Sequence, residues 1–116
     1  MAWNPKVHAT QLTGITTQQY FSTSVTLSLG EICHVQIEGT FPGNPTDPLL
    51  VQCYSTLDAS SEQWDSQPFF SVVIQPTTPV VSFIVRDYYK FRVGAQRLGS
   101  TDTLIADMWS RTAIQL

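Results

Sequence analysis

Tyr88-Tyr89-Lys90-Phe91-Arg92-Val93-Gly94-Ala95-Gln96 alternates strictly: Tyr89, Phe91, Val93 and Ala95 fall on one side of an extended chain, and Tyr88, Lys90, Arg92 and Gln96 on the other. A period of two marks a strand with one buried and one outward face, because successive side chains of an extended backbone point oppositely. The same period recurs outward from this segment. Residues 80–86 and 69–75 read as strands joined by Pro76-Thr77-Thr78-Pro79, a turn where neither proline has to donate to a ladder. Leu49, Val51 and Cys53 alternate with Leu50, Gln52 and Tyr54, and Cys33, Val35 and Ile37 with His34, Gln36 and Glu38. Val25, Leu27 and Leu29 alternate with Ser24, Thr26 and Ser28. On the other side, Gly99-Ser100-Thr101-Asp102 reads as a turn. Leu104, Ala106 and Met108 follow as one face of a last strand whose other face carries Asp107, Trp109 and Arg111. Seven strands separated by turn residues, with no apolar stripe at helical spacing beyond a turn or two, predict an all-β chain folded as a single β-sandwich or small barrel.

Residues 1–20 lack that pattern. They hold Trp3, Pro5, Gly14 and the polar tract Thr16-Thr17-Gln18-Gln19, and read as an extended N-terminal arm or a loosely held edge strand ahead of a sandwich domain over 21–116. With 116 residues and 42% of them apolar, the chain can bury a sizeable core as one domain. Charged residues make up only 13%, against about 25% in a typical soluble domain. Ser, Thr and Gln supply the missing polarity, and Thr and Ser suit strands and turns better than long helices. The longest apolar runs fall far short of the roughly 18 residues of a spanning helix, so no membrane span is expected. No apolar stretch follows a basic start, which predicts a product made in the cytoplasm.

Few residues carry a chemical signature. Cys33 and His34 are neighbours on a strand and so face opposite ways, which defeats both a nucleophile and base pair and a shared metal ion. Residues 33–38 and 49–54 read as the arms of one hairpin, with Cys33 and Cys53 diagonal across it. Diagonal partners lie too far apart to bridge, so two free thiols are expected. The carboxylates with a clear place, Asp47, Asp58, Glu62, Asp65 and Asp102, sit in loops and turns, where solvation explains them. Neither Gly-x-Ser-x-Gly nor a phosphate-cradling glycine loop occurs. No catalytic residue, metal site or cofactor is expected, and the chain reads as non-enzymatic.

Charge placement says more. Arg86, Lys90, Arg92, Arg97 and Arg111 are five of the six basic residues, all in the final third. By parity Arg86, Tyr88, Lys90 and Arg92 project from one outer face as a basic, aromatic strip. A net charge of −3 argues against nucleic acid as the partner, since polyanion binding draws on surplus positive charge. A protein surface with acidic patches fits better, because interfaces are enriched in Tyr, Trp and Arg. The expected partner-binding residues are therefore Tyr88, Lys90, Arg92 and Arg86, with Trp109 on the last strand and Trp3 as an isolated anchor in the arm. Tyr54, Trp64, Tyr88 and Trp109 could instead stack sugars, as in a carbohydrate-binding module.

Tyr89-Lys90-Phe91-Arg92-Val93-Gly94-Ala95 followed by Gly99-Ser100-Thr101-Asp102 resembles strand F and the F–G turn of immunoglobulin-like and fibronectin type III domains, with Tyr89 at the place of their corner tyrosine. The resemblance implies an immunoglobulin-like sandwich; a jelly roll is the alternative sandwich. As a whole, the chain is similar to the small virion proteins of tailed bacteriophages: a short β-protein rich in Ser, Thr and Gln, with residues 68–74 leading into Phe83-Ile84-Val85-Arg86-Asp87. That likeness implies a capsid cement or decoration protein. It would bind the major capsid protein, or another virion protein, as a homo-oligomer. A neck or tail component is the nearest alternative.

Overall fold

The computed structural model describes residues 3–16, 18–41, 47–58, 60, 63–99 and 104–114. Its strands are β1 (Val7–Ile15), β2 (Tyr20–Phe21), β3 (Val25–Thr26), β4 (Glu31–Thr40), β5 (Leu49–Thr56), β6 (Phe70–Ile74), β7 (Val80–Val85), β8 (Lys90–Arg97) and β9 (Leu104–Ile114). They form two antiparallel sheets that pack as a sandwich. The first runs β1-β9-β4-β7, and the second runs β2-β8-β5-β6 with β3 also on β8. Counting β2 and β3 as one interrupted strand, every connection but β5 to β6 crosses from one sheet to the other. This strand order is that of a jelly roll.

Of the two sandwich forms expected, the jelly roll is therefore the one found. An F–G hairpin would pair β8 with β9, but these strands lie in different sheets. Tyr89 is not a corner tyrosine either: it is 41% exposed, and it is its backbone carbonyl that is used, accepting from Leu27 N at 2.8 Å. Tyr89→Phe should accordingly change the unfolding free energy by less than about 0.5 kcal/mol in a urea titration, the range of an exposed site.

Alternation within strands holds well. Cys33, Val35 and Ile37 of β4, Leu49, Val51 and Cys53 of β5, Phe91, Val93 and Ala95 of β8, and Leu104, Ala106 and Met108 of β9 all enter one buried cluster. Two expectations need correction. Leu29 is fully solvent-exposed, because Glu31 N donates to Ser28 O at 2.9 Å and closes a turn with Leu29 at its tip. The strand read over residues 24–29 is thus only the short β3, and Leu27, just past its end, is the last buried side chain before the turn. And β4 and β5 are not a hairpin. Cys33 and Cys53 enter the core from opposite sheets, both buried and both free thiols.

Of the two forms expected of residues 1–20, the described part takes the edge strand. β1 pairs with β9, with register shifts between His8 and Thr10 and between Leu12 and Ile15. Ile15 is fully buried, so the core begins there, ahead of residue 21.

Candidate functional site

The outward side chains of the first sheet gather polar and aromatic groups from three strands. The pairing sets His34 opposite Arg111 and Gln36 opposite Trp109 across β4 and β9, and His8 opposite Trp109 and Gln11 opposite Asp107 across β1 and β9. Arg111 Nε donates to His34 Nδ1 at 3.2 Å, and its guanidinium lies 4.7 Å from the Trp3 ring. Trp3 itself packs against His34, with ring centroids 5.8 Å apart. Asn4 extends the β1–β9 ladder by donating its N–H to Thr112 O at 2.8 Å, which fixes where Trp3 enters the face. Trp109 stacks on His8 at 4.4 Å and carries the Lys6 ammonium 4.6 Å above its ring. Asp107 Oδ1 accepts from His8 Nε2 at 2.8 Å and from Gln11 Nε2 at 2.9 Å. Between these groups opens a cavity of about 210 Å³ lined by Lys6, His34, Gln36, Trp109, Ser110 and Arg111.

The outer face of the second sheet is built around Arg92. Its guanidinium is sandwiched between Phe21, 3.7 Å from the ring centroid, and Trp64, 4.5 Å away. Attraction to the two ring faces offsets part of the guanidinium's desolvation. Burial nevertheless lowers the Arg92 pKa, opposed by the neighbouring Tyr54, and Nε is buried without a hydrogen-bond partner among the described residues. Beside it, Gln19 Nε2 donates to Gln52 Oε1 at 3.3 Å and to Tyr54 Oη at 3.2 Å. Gly94 makes room for this crossing: a Cβ there would lie 2.6 Å from Gln19 Nε2.

The expected basic strip does not form. Arg86 and Tyr88 sit in the connection that carries the chain from β7 in one sheet to β8 in the other, and Asp87 turns it with φ 68°. The parity argument treated residues 86–92 as one strand and fails at that turn. Lys90 does face outward on β8, between Thr26 and Thr56, but it is buried there. Trp3 and Trp109 come together on the opposite sheet. Arg86 and Tyr88 instead line an end cleft of about 680 Å³ facing the turn at residues 28–31, and Tyr88 stacks on Phe69 at 4.1 Å.

That stack closes one end of a groove of about 270 Å³ along the side where β6 and β7 are the sheet edges. Phe70 and Phe83 face each other in it across the two sheets, with centroids 4.4 Å apart. His34, Gln36, Lys6 and His8 were missed as site residues. Alternation placed His34 and Gln36 outward, but nothing local says that β9 lies between β1 and β4. Among the described residues no three His, Cys, Asp or Glu side chains group to hold a metal ion, and no helix is long and apolar enough to cross a membrane. No protein-family model matches the chain, and no curated protein or solved structure is significantly similar to it.

Proposed function

We propose that this chain is a non-enzymatic structural protein of a tailed-phage virion, a capsid cement or decoration protein that attaches to the major capsid protein as a homo-oligomer. The observation that supports this reading is the side of the sandwich bounded by β6 and β7. Phe-Ser-Val-Val-Ile and Val-Val-Ser-Phe-Ile-Val carry no charged residue, proline or glycine, and both pair in unbroken register with their one neighbour. Edge strands of proteins that stay monomeric are usually blunted by charge, proline or a bulge, since their free N–H and C=O groups invite another strand. β1, at the far edge of the first sheet, has such irregularities. β6 and β7 have none, and Val73 of β6 and Val80 and Ile84 of β7 are 42–47% exposed.

An aromatic, charge-poor surface with Arg86 at its rim has the composition of an interface core. Two parallel open edges could each accept a strand from another copy or from a shell protein. Binding only to the assembled shell would stabilise that shell by mass action, which is what a cement protein does. On this reading the protein is made in the host cytoplasm and retained in the virion.

Light scattering on the free protein should find an oligomer. The double variant Val80→Lys/Ile84→Lys, outward on β7, should be monomeric with a thermal midpoint within a few degrees of the original, as outward substitutions lose little packing. An antibody against the chain should label the heads of the phage particles that carry it. A monomeric parent protein would remove the homo-oligomer from the proposal, and labelling confined to necks or tails would move the role there.

A further inference from the structure

We infer that the cavity on the outer face of the first sheet binds one carboxylate-bearing sugar unit, a role additional to assembly through the β6 and β7 edges. Among the described residues the lining has donors and positive charge but no carboxylate. Lys6 and Arg111 supply two cations and Gln36 an amide, while the carboxylates of this face lie outside the lining: Asp107, held by His8 and Gln11, and Glu38, paired opposite it. Because His34 Nδ1 accepts from Arg111, the neutral ring carries its proton on Nε2 and offers one more donor. Arg111 is fixed between that bond and the Trp3 ring, so its remaining N–H groups are pre-oriented for the bidentate pairing that a carboxylate offers. Pre-orientation lowers the entropy cost of binding.

The aromatic groups decide the rest of the ligand. A bare anion would make no use of the Trp109 indole in the wall, which His8 and the Lys6 ammonium hold in the unliganded protein; as Lys6 turned from the ring to the ligand carboxylate, a pyranose would lay its C–H face over the indole in its place and direct hydroxyls to Gln36. About 210 Å³ is below the usual range for drug-sized ligands and fits a single ring rather than an oligosaccharide. Size, charge and the indole together select an acidic monosaccharide unit, at the end of a glycan or within it.

Intrinsic tryptophan fluorescence of the full chain reads this directly, since Trp109 lines the cavity and Trp3 packs behind it. Titration with a galacturonic acid trisaccharide or a sialylated trisaccharide, at fixed ionic strength, should give a saturable change with at least one of them. The matching neutral galactose trisaccharide should bind roughly tenfold more weakly or less, and sodium phosphate should neither bind nor compete. Lys6→Gln, at an exposed position, and Arg111→Gln should each weaken the acidic sugar roughly fivefold or more with an unchanged circular dichroism spectrum, while Trp64→Phe, in the β5–β6 connection against Arg92, should leave it unaltered. Equal binding of the neutral sugar, full competition by phosphate, or no saturable response to either acidic sugar would overturn the inference. The oligomeric state of the Lys6→Gln protein should equal that of its parent, which separates this site from the assembly edges.

Discussion

Raising the pH from 8 to 11 should cost the folded protein on the order of 4 kcal/mol of stability through two thiols alone. Burial pushes Cys33 from 9.0 up to about 11, with the Glu31 carboxylate adding to the effect, and pushes Cys53 up to about 12. The unfolded chain releases both protons near pH 9, while the folded chain still holds them. The thiols' contribution is therefore fully present below pH 9 and is lost as pH rises through 11 and 12. At pH 11 each costs about 2 kcal/mol by linkage. Urea titrations at pH 8, 9, 10 and 11 should show this fall in the parent protein and a much flatter one in Cys33→Ala/Cys53→Ala. That comparison cancels tyrosine and lysine ionisation. Equal slopes would mean that other groups carry the titration. In the folded protein at pH 8 neither thiol should react with a thiol reagent, and both should do so in denaturant.

Phe91→Ala should destabilise by about 3–5 kcal/mol, a large share of the roughly 5–15 kcal/mol that holds a domain of this kind together. Phe91 is fully buried near the start of β8, opposite Val25 on one side and Ser55 on the other, and meets Phe69 edge-to-face at 6.4 Å. β8 is the strand that both β3 and β5 pair with, so a cavity there loosens three strands together. Phe91→Leu, which keeps most of the volume, should cost much less. A denaturation midpoint for Phe91→Ala close to the parent would show that the site collapses around the missing ring.

How far the sequence reaches is visible residue by residue. Cys33, Val35 and Ile37, or Leu104, Ala106 and Met108, announce their inward side because alternation is local and one face of each strand is buried. Which sheet a strand joins is not local. β4 and β5 look like a hairpin and are not, and Arg86 and Lys90 share parity in the chain, yet Arg86 lies in the connection between the layers and Lys90 on β8. Only the turn at Asp87 separates them, and Asp is a residue that tolerates the left-handed region without demanding it. The cavity on the first sheet was illegible for the same reason. Lys6 and His34 meet Trp109 and Arg111 through pairings that span most of the chain. Trp109 was expected to meet a partner, but nothing local linked it to Lys6, His34 or Arg111, and only the β1-β9-β4 order makes them neighbours.

That order also fixes when the protein can fold. β9, the last strand described, lies in the middle of the first sheet, with β4 on one side and β1 on the other. Until it leaves the ribosome, β1 has no partner in its sheet, and β4 has only β7. Few native contacts are local, so closure waits on long-range pairing, which makes β-topologies slow to form and exposed to aggregation meanwhile. The uncharged β6 and β7 segments are synthesised before that closure. Each nascent chain thus holds two uncharged strands before its first sheet can close.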